Sequence, residues 1–82
     1  MAAPISVERF VKELEKLKFE MDAGNLASGQ YDQRLSRVIQ ELRDRGLDAD
    51  RDAISDALAD ALARGVITDS VHDHLQKRLG LV

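Results

Sequence analysis

The feature that most limits the folds open to this chain is the regular alternation of apolar stripes and glycines. Apolar residues recur three and four positions apart within each segment, and a glycine follows each stripe, at Gly24, Gly46, Gly65 and Gly80. This spacing places the apolar side chains on one face of a helix. Glycine commonly ends helices because it adopts positive φ without strain. The pattern therefore predicts an all-α chain of four short helices.

Residues that can cap helices stand in front of each stripe. Ser6, Ser28 and Thr68 precede the first, second and fourth stripes, and either Asp48 or Asp50 precedes the third. Their side-chain oxygens can accept the free N–H groups of a first helical turn. The short connections favour antiparallel neighbours and hence two helix-turn-helix hairpins packed as a bundle. The predicted helices span residues of about 6–23, 29–45, 50–64 and 69–79.

Two apolar contacts at helix ends are also predicted. Ile5 precedes the Ser6 cap and Phe10 follows it, so the two side chains are spaced for a hydrophobic staple. Leu47 stands just beyond Gly46, where a Schellman motif places its apolar contact. The first apolar stripe is predicted to run along one face of its helix to about Ala23, and part of it is a candidate partner surface. Its members are Val7, Phe10, Val11, Leu14, Leu17 and Met21.

Length and composition bound the classes of function. The 82 residues suit a single helical domain, 1–82, and the net charge of −3 gives no bulk attraction to anionic surfaces. The absence of cysteine excludes disulfides and thiolate metal sites. No apolar run is long enough to cross a membrane, and the first residues lack the pattern of a signal peptide. We therefore expect a cytoplasmic protein with no membrane partner.

The two halves of the chain share one pattern. Leu17, Gly24 and Leu26 in the first half match Leu58, Gly65 and Ile67 in the second. Two interpretations stay open at this point. The chain contains an internal repeat, 7–46 and 48–82, or any two helical hairpins need these same parts.

This pattern resembles the short helical module called SHOCT, in which a Leu-rich helix is followed by Gly, an aliphatic residue, a hydroxyl residue and a second helix. Each half carries the resemblance. The residues are Leu58, Leu62, Gly65, Ile67 and Thr68 in the second half, and Leu17, Met21, Gly24, Leu26 and Tyr31 in the first, where Ala27 replaces the hydroxyl residue. His72 stands where the family usually has an aromatic, and the family's downstream Lys is absent. The resemblance implies a role in oligomerisation or partner docking, without chemistry.

The same glycine spacing is similar to that of an EF-hand loop. Calcium requires oxygen ligands at fixed loop positions. The two halves offer one carboxylate at those positions, which hold Phe19, Met21, Ala23 and Gln30 in the first half and Asp60, Leu62, Arg64 and Val71 in the second. Calcium binding is therefore excluded. A calcium-free relative, whose loops pair with Leu26 facing Ile67, is the alternative that remains.

Candidate catalytic or metal-binding groups are few. His72 and His74 are two positions apart, so on a helix they point about 200° apart and cannot bind one metal as an i, i+4 pair can. The chain shows no set of nucleophile, base and orienting residue, and no phosphate-binding loop. We therefore predict no enzyme activity, no cofactor, no metal and no small-molecule substrate.

The predicted function is that of a protein-interaction or oligomerisation module, with a second copy in a dimer or another protein as partner. Phe19 lies roughly 150° from the apolar stripe of its helix, among charged residues. Ala53, Ala57 and Ala61 are spaced one helical turn apart, which allows a neighbouring backbone to approach closely. Leu81 belongs to an apolar tail. The alternatives are that Phe19 is covered by the following loop or by helix three or four, and that Leu81 covers the bundle end.

Two further interpretations use charged faces. Arg34, Arg37 and Arg45 cluster beside the stripe of helix two and could contact the backbone of duplex RNA or DNA, doubled in a dimer. If that face is only solvated, Glu41 should pair with Arg37 and with Arg45. The other interpretation is a regulatory or inhibitor-like role through an acidic strip of helix three, which is otherwise a solvated face. The strip consists of Asp52, Asp56 and Asp60.

Overall fold

The computed structural model describes residues 3–27 and 29–81 and contains four α-helices in that part of the chain. They are α1 (Val7–Asp22), α2 (Gln30–Arg45), α3 (Arg51–Ala63) and α4 (Asp69–Arg78). The predicted all-α class and the order of the helices are confirmed. Each observed helix lies within the predicted range, and the differences at the ends are those expected between cap residues and the first helical turn.

Three helices begin with the predicted type of cap. The side-chain oxygens of Ser6, Asp50 and Thr68 each accept a hydrogen bond from the backbone N–H three residues later, at 3.2, 2.8 and 3.2 Å. Of the two aspartates proposed for α3, Asp50 is thus the cap. These bonds satisfy N–H groups that have no partner within the helix.

The start of α2 is built differently. Its N-cap is Gly29, which has no side chain to offer, and the side-chain oxygen of Gln30 accepts a hydrogen bond from the N–H of Ala27 at 2.6 Å. The backbone N–H of Gln30 also donates to the carbonyl of Ala27 at 3.0 Å. Ser28, the predicted cap, lies outside the described residues.

The ends of α1 and α3 share one geometry. Past α1, Gly24 N–H donates to the Met21 carbonyl at 3.1 Å, and Asn25 N–H donates to the Glu20 carbonyl at 2.9 Å. This pair of bonds is a Schellman motif. Past α3 the same two bonds are made by Gly65 and Val66, at 3.1 and 2.9 Å. The matched glycines of the two halves therefore have matched backbone roles.

Gly46 ends α2 without a Schellman motif, so that prediction is wrong. With φ 82° and ψ 160°, its N–H donates to the Leu42 carbonyl at 2.7 Å, and its own carbonyl accepts from Ile5 N–H at 2.9 Å. Asp48 N–H donates in turn to the Ile5 carbonyl at 2.8 Å. Instead of folding back on α2, the chain extends to form a parallel bridge between Ile5 and Leu47.

The core is formed by two hairpins joined through their first helices. α1 contacts α2 and α3, and α4 contacts α3. Ile5 and Phe10, the predicted staple pair, both belong to this core. No pairing of Leu26 with Ile67 occurs in the described ranges, where the bridge is that of Ile5 with Leu47. The buried residues are Ile5, Phe10, Leu14, Leu17, Leu35, Ile39, Leu42, Ile54, Leu58, Ala61, Ile67 and Leu75.

Met21, the last member of the predicted stripe, is not buried, because 57% of its surface is exposed. Its side chain borders an open groove, which is also lined by Tyr31, Val66 and Val71, rather than a closed layer of neighbours. The inner face of α1 is therefore covered as far as Leu17 and open at its last turn. No helix within residues 3–27 and 29–81 is both long and apolar enough to cross a membrane.

Candidate interaction surfaces

Phe19 lies on the outer face of α1, with 71% of its surface exposed. On one side of it Glu20 forms an ion pair with Arg34 of α2, and on the other Glu15 accepts a hydrogen bond from Arg64 at 2.9 Å. Glu20 faces α2 and Glu15 faces the end of α3, so Phe19, which lies between them on α1, points away from the bundle. It is not covered by the following loop or by α3 or α4.

Arg64 links α1 to the end of α3. Its guanidinium donates to Glu15 at 2.9 Å and to Asp60 at 2.8 Å. These two hydrogen bonds, to Glu15 first, raise the pKa of Arg64 and so hold its positive charge. One carboxylate of the predicted acidic strip is therefore neutralised within the chain, whereas Asp52 and Asp56 make no ion pair with any described residue.

The small residues of α3 divide between core and surface. Ala61 is buried, Ala57 is half-buried and Ala53 is exposed. The row of alanines therefore turns from the core to the outside along the helix. Ala53 and part of Ala57 remain open to a neighbour, whereas Ala61 is already packed.

Leu81 packs against the edge of the core. Its backbone N–H donates to the Gln76 carbonyl at 2.8 Å, and its carbonyl accepts a hydrogen bond from Arg51 at 3.1 Å. The structure thus holds Leu81 against the bundle end, as the alternative interpretation required. Val82 lies outside the described residues.

The three arginines proposed for nucleic acid differ in their surroundings. Arg34 is paired with Glu20, and Arg45 donates to Glu41 at 3.0 Å and to the carbonyl of Ala3 at 2.9 Å. Arg37 forms no ion pair with any residue of the described ranges. The expected pair of Arg45 with Glu41 is present, and the expected pair of Arg37 with Glu41 is absent there.

Carboxylates alternate with cations all along this face. Glu41 also accepts a hydrogen bond from Arg9 at 3.2 Å, which ties α1 to α2. The cleft between the two helices, of about 280 Å³, is lined by equal numbers of acidic and basic side chains, so it is not a continuous cationic surface. Its lining consists of Glu13, Lys16, Leu17, Glu20, Arg34, Arg37, Val38 and Glu41.

An apolar groove of about 260 Å³ lies at the end of α1. It is lined by Met21, Tyr31, Val66 and Val71, with the Lys18–Asp22 ion pair at its edge. Burial, and then the negative charge of Asp32, raise the pKa of Tyr31. The sequence did not indicate this groove because Met21 and Tyr31 continue the core stripes of their helices.

A second groove, of about 230 Å³, opens where the ends of α2 and α4 meet the start of α3. It has an apolar floor and two arginines, Arg43 and Arg78, and none of the described residues that line it is a carboxylate. The arginines are far apart in the chain. The sequence therefore gave no signal that they flank one surface.

His72 is half-buried and His74 is exposed on α4. Within residues 3–27 and 29–81, no group of three His, Cys, Asp or Glu side chains is placed to hold a metal ion. Comparison of the chain with protein-family models, curated proteins and solved structures gives no match. The proposed function therefore rests on the surfaces described above.

Proposed function

We propose that this chain is a non-enzymatic protein-interaction or oligomerisation module that uses the outer face of α1. The observation that carries the proposal is Phe19, an aromatic side chain exposed to 71% on the face of α1 that points away from the core. An aromatic at such a position adds nothing to the core, but it can supply much of the free energy of a contact.

The surroundings of Phe19 support a binding role. Lys12, Glu15 and Lys16 stand on the same face of α1 and are exposed. An apolar anchor within a polar rim is the usual arrangement of protein interfaces. Removing a Phe side chain from water contributes roughly 1.5–3 kcal/mol, which is a factor of about ten or more in a dissociation constant.

The character of the core supports a binding role over a catalytic one. Among residues 3–27 and 29–81, every buried side chain is apolar. Catalytic groups are typically titratable side chains that burial and neighbouring charges perturb. In this chain the charged side chains instead lie at the surface, where several form ion pairs between helices or one turn apart along the chain.

The test is the variant Phe19→Ala, compared with Lys12→Ala on the same helix face. We expect Phe19→Ala to weaken self-association, or capture of a protein partner, by about tenfold or more. Its thermal stability should change little because the side chain is exposed and Ala favours the helix. Light scattering after size exclusion, over a range of concentrations, measures the first effect, and thermal unfolding measures the second.

Lys12→Ala should leave both quantities nearly unchanged, because a side chain in the polar rim contributes little free energy to a contact. A chain that stays monomeric at high concentration, and that captures the same partners with and without Phe19, would refute the proposal. Retained association by Phe19→Ala, equal to that of Lys12→Ala, would exclude the outer face of α1.

Binding of duplex nucleic acid is the second candidate, and Arg37 supports it. Its guanidinium is exposed without an ion pair among the described residues, whereas Glu20 and Glu41 neutralise its two companions. Backbone binding weakens steeply with salt. A gel shift with duplex RNA or DNA at low salt that disappears in Arg37→Ala would favour this role, and the absence of any shift would dismiss it.

A further inference from the structure

The groove at the ends of α2 and α4 differs in charge from the other grooves, each of which has a carboxylate in its lining. Its floor is apolar, and the charged side chains that the described residues place in its lining are Arg43 and Arg78, both exposed. Neither makes an ion pair with a carboxylate in the part of the chain that the structure describes. Asp44, the acidic neighbour of Arg43 in the sequence, instead accepts a hydrogen bond from Gln40 at 3.1 Å. The floor consists of Leu42, Leu47, Ile54 and Leu79.

Most other cations of the surface are paired within the chain. Ion pairs join α1 to α2, α1 to the end of α3, and side chains one turn apart on a single helix. Two unpaired guanidinium groups beside an apolar floor therefore form a surface that is complementary to acidic side chains carried on a small, close-fitting element.

The chain itself carries such an element on the outer face of α3. Asp52 and Asp56 are exposed there. Each lies about 160° around the helix from Ile54, one on either side, so both are on the face opposite Ile54. Neither has a cationic partner among the described residues. Ala59 and Ala63 lie on the same face and are also exposed. Because these side chains are small, another surface can approach the helix backbone closely.

We propose that the groove of one copy of this chain binds the outer face of α3 of a second copy, with Arg43 and Arg78 opposite Asp52 and Asp56. The inference rests on the proposed function in one respect, since it takes the chain to be a module that associates with itself. The groove contains Ile54 and the acidic face lies on the far side of the same helix. Each contact therefore joins two different surfaces, as in heterologous association.

The test reverses the charges of each surface separately and then mixes the two variants. Arg43→Glu with Arg78→Glu should weaken self-association by about tenfold or more, and Asp52→Lys with Asp56→Lys should do the same. In the mixture, the acidic groove of the first variant meets the basic helix of the second, and their other two surfaces keep their original charges. We therefore expect the mixture to associate about as well as the unchanged chain, and each association to weaken with salt.

The control is Arg37→Glu, a charge reversal at an exposed position on α2 that lies away from both the groove and the outer face of α1, and it should keep association. Thermal unfolding of each variant separates a lost contact from a lost fold. Two observations would overturn the inference: a monomeric unchanged chain, or association that the reversals leave intact. If association then still depends on Phe19, the proposed function is retained and only the contact between the groove and α3 is refuted. If association does not depend on Phe19 either, both the contact and the proposed function are refuted.

Discussion

Tyr31 stands at the start of α2 with its ring half-buried beside the open end of α1. Loss of hydration disfavours the phenolate, and the negative charge of Asp32 disfavours it further, while Lys18 acts in the opposite direction. The net result is a pKa raised from its ordinary value of 10.0. In the unfolded chain the same hydroxyl loses its proton more easily, so folding and protonation of Tyr31 favour each other.

This difference predicts a loss of stability at alkaline pH. The contribution of Tyr31 is fully present below the unfolded pKa of about 10 and is lost as the pH rises through the higher folded pKa. As the pH rises from roughly 9 to 11, which spans the ordinary tyrosine pKa, the melting temperature of the unchanged chain should therefore fall more than that of Tyr31→Phe. The chain has one tyrosine, so an absorbance titration of the phenolate measures the folded pKa directly. A pKa at or below the ordinary value would contradict the prediction.

Among the elements, α4 depends most on its cap. It has 10 residues, and isolated helices shorter than about 12–15 residues are marginal in water. Its single buried residue is Leu75, so packing contributes less to it than to the other helices. The hydrogen bond from Val71 N–H to the Thr68 hydroxyl at 3.2 Å therefore matters for this helix.

Thr68→Ala removes that acceptor and should lower the free energy of unfolding by about 1 kcal/mol. Thr68→Ser keeps the hydroxyl and should retain most of the stability. Urea unfolding followed by circular dichroism measures both variants. Equal stability of Thr68→Ala and the unchanged chain would show that the cap contributes nothing in this context.

Features set by nearby residues could be predicted from the sequence, and features set by distant ones could not. The caps at Ser6 and Thr68 and the glycine ends of α1 and α3 depend on a few adjacent residues, and those predictions are confirmed. The end of α2 at Gly46 depends on Ile5, which pairs with the chain only after folding. Met21 shares the periodicity of Leu14 and Leu17, but its exposure depends on where the neighbouring helices stop.

The candidate surfaces follow the same rule. The place of Phe19 outside the apolar stripe could be predicted from its position around α1, but whether the following loop or helix three or four covers it depends on packing. The pairing of Arg34 with Glu20, and the meeting of Arg43 with Arg78 at one groove, depend on how the hairpins pack. The pattern of one sequence does not contain that packing.

At the scale of the whole molecule, the bridge between Ile5 and Leu47 joins the start of the chain to its middle. Ile5 is 5% exposed and belongs to the core together with residues of all four helices. Its backbone exchanges two hydrogen bonds with the segment after α2, at 2.9 and 2.8 Å. One side chain and two hydrogen bonds thus connect the segment before α1 to the connection between the hairpins.

Ile5→Ala should therefore lower the free energy of unfolding by about 2–4 kcal/mol, because it leaves a cavity in a close-packed core. Pro4→Ala, next to it and exposed, should change stability by less than about 1 kcal/mol. Urea unfolding measures both. The total stability of a domain this small is of the order of 5–10 kcal/mol, so the loss expected for Ile5→Ala is easily measured. A loss for Ile5→Ala no larger than that for Pro4→Ala would mean that the Ile5 side chain is dispensable.

The bridge also sets an order in which parts of the molecule can open. The first hairpin is a closed loop, since the segments before α1 and after α2 are hydrogen-bonded to each other, whereas α4 lies outside that loop. Fraying that begins at α4 can proceed without breaking the two hydrogen bonds of Ile5 that close the first hairpin. In contrast, α1 and α2 cannot separate until Ile5 is released. Amide protons of α4 should thus exchange with solvent ahead of those in the first hairpin, and the hairpin closed by Ile5 should be the last part of the fold to be lost.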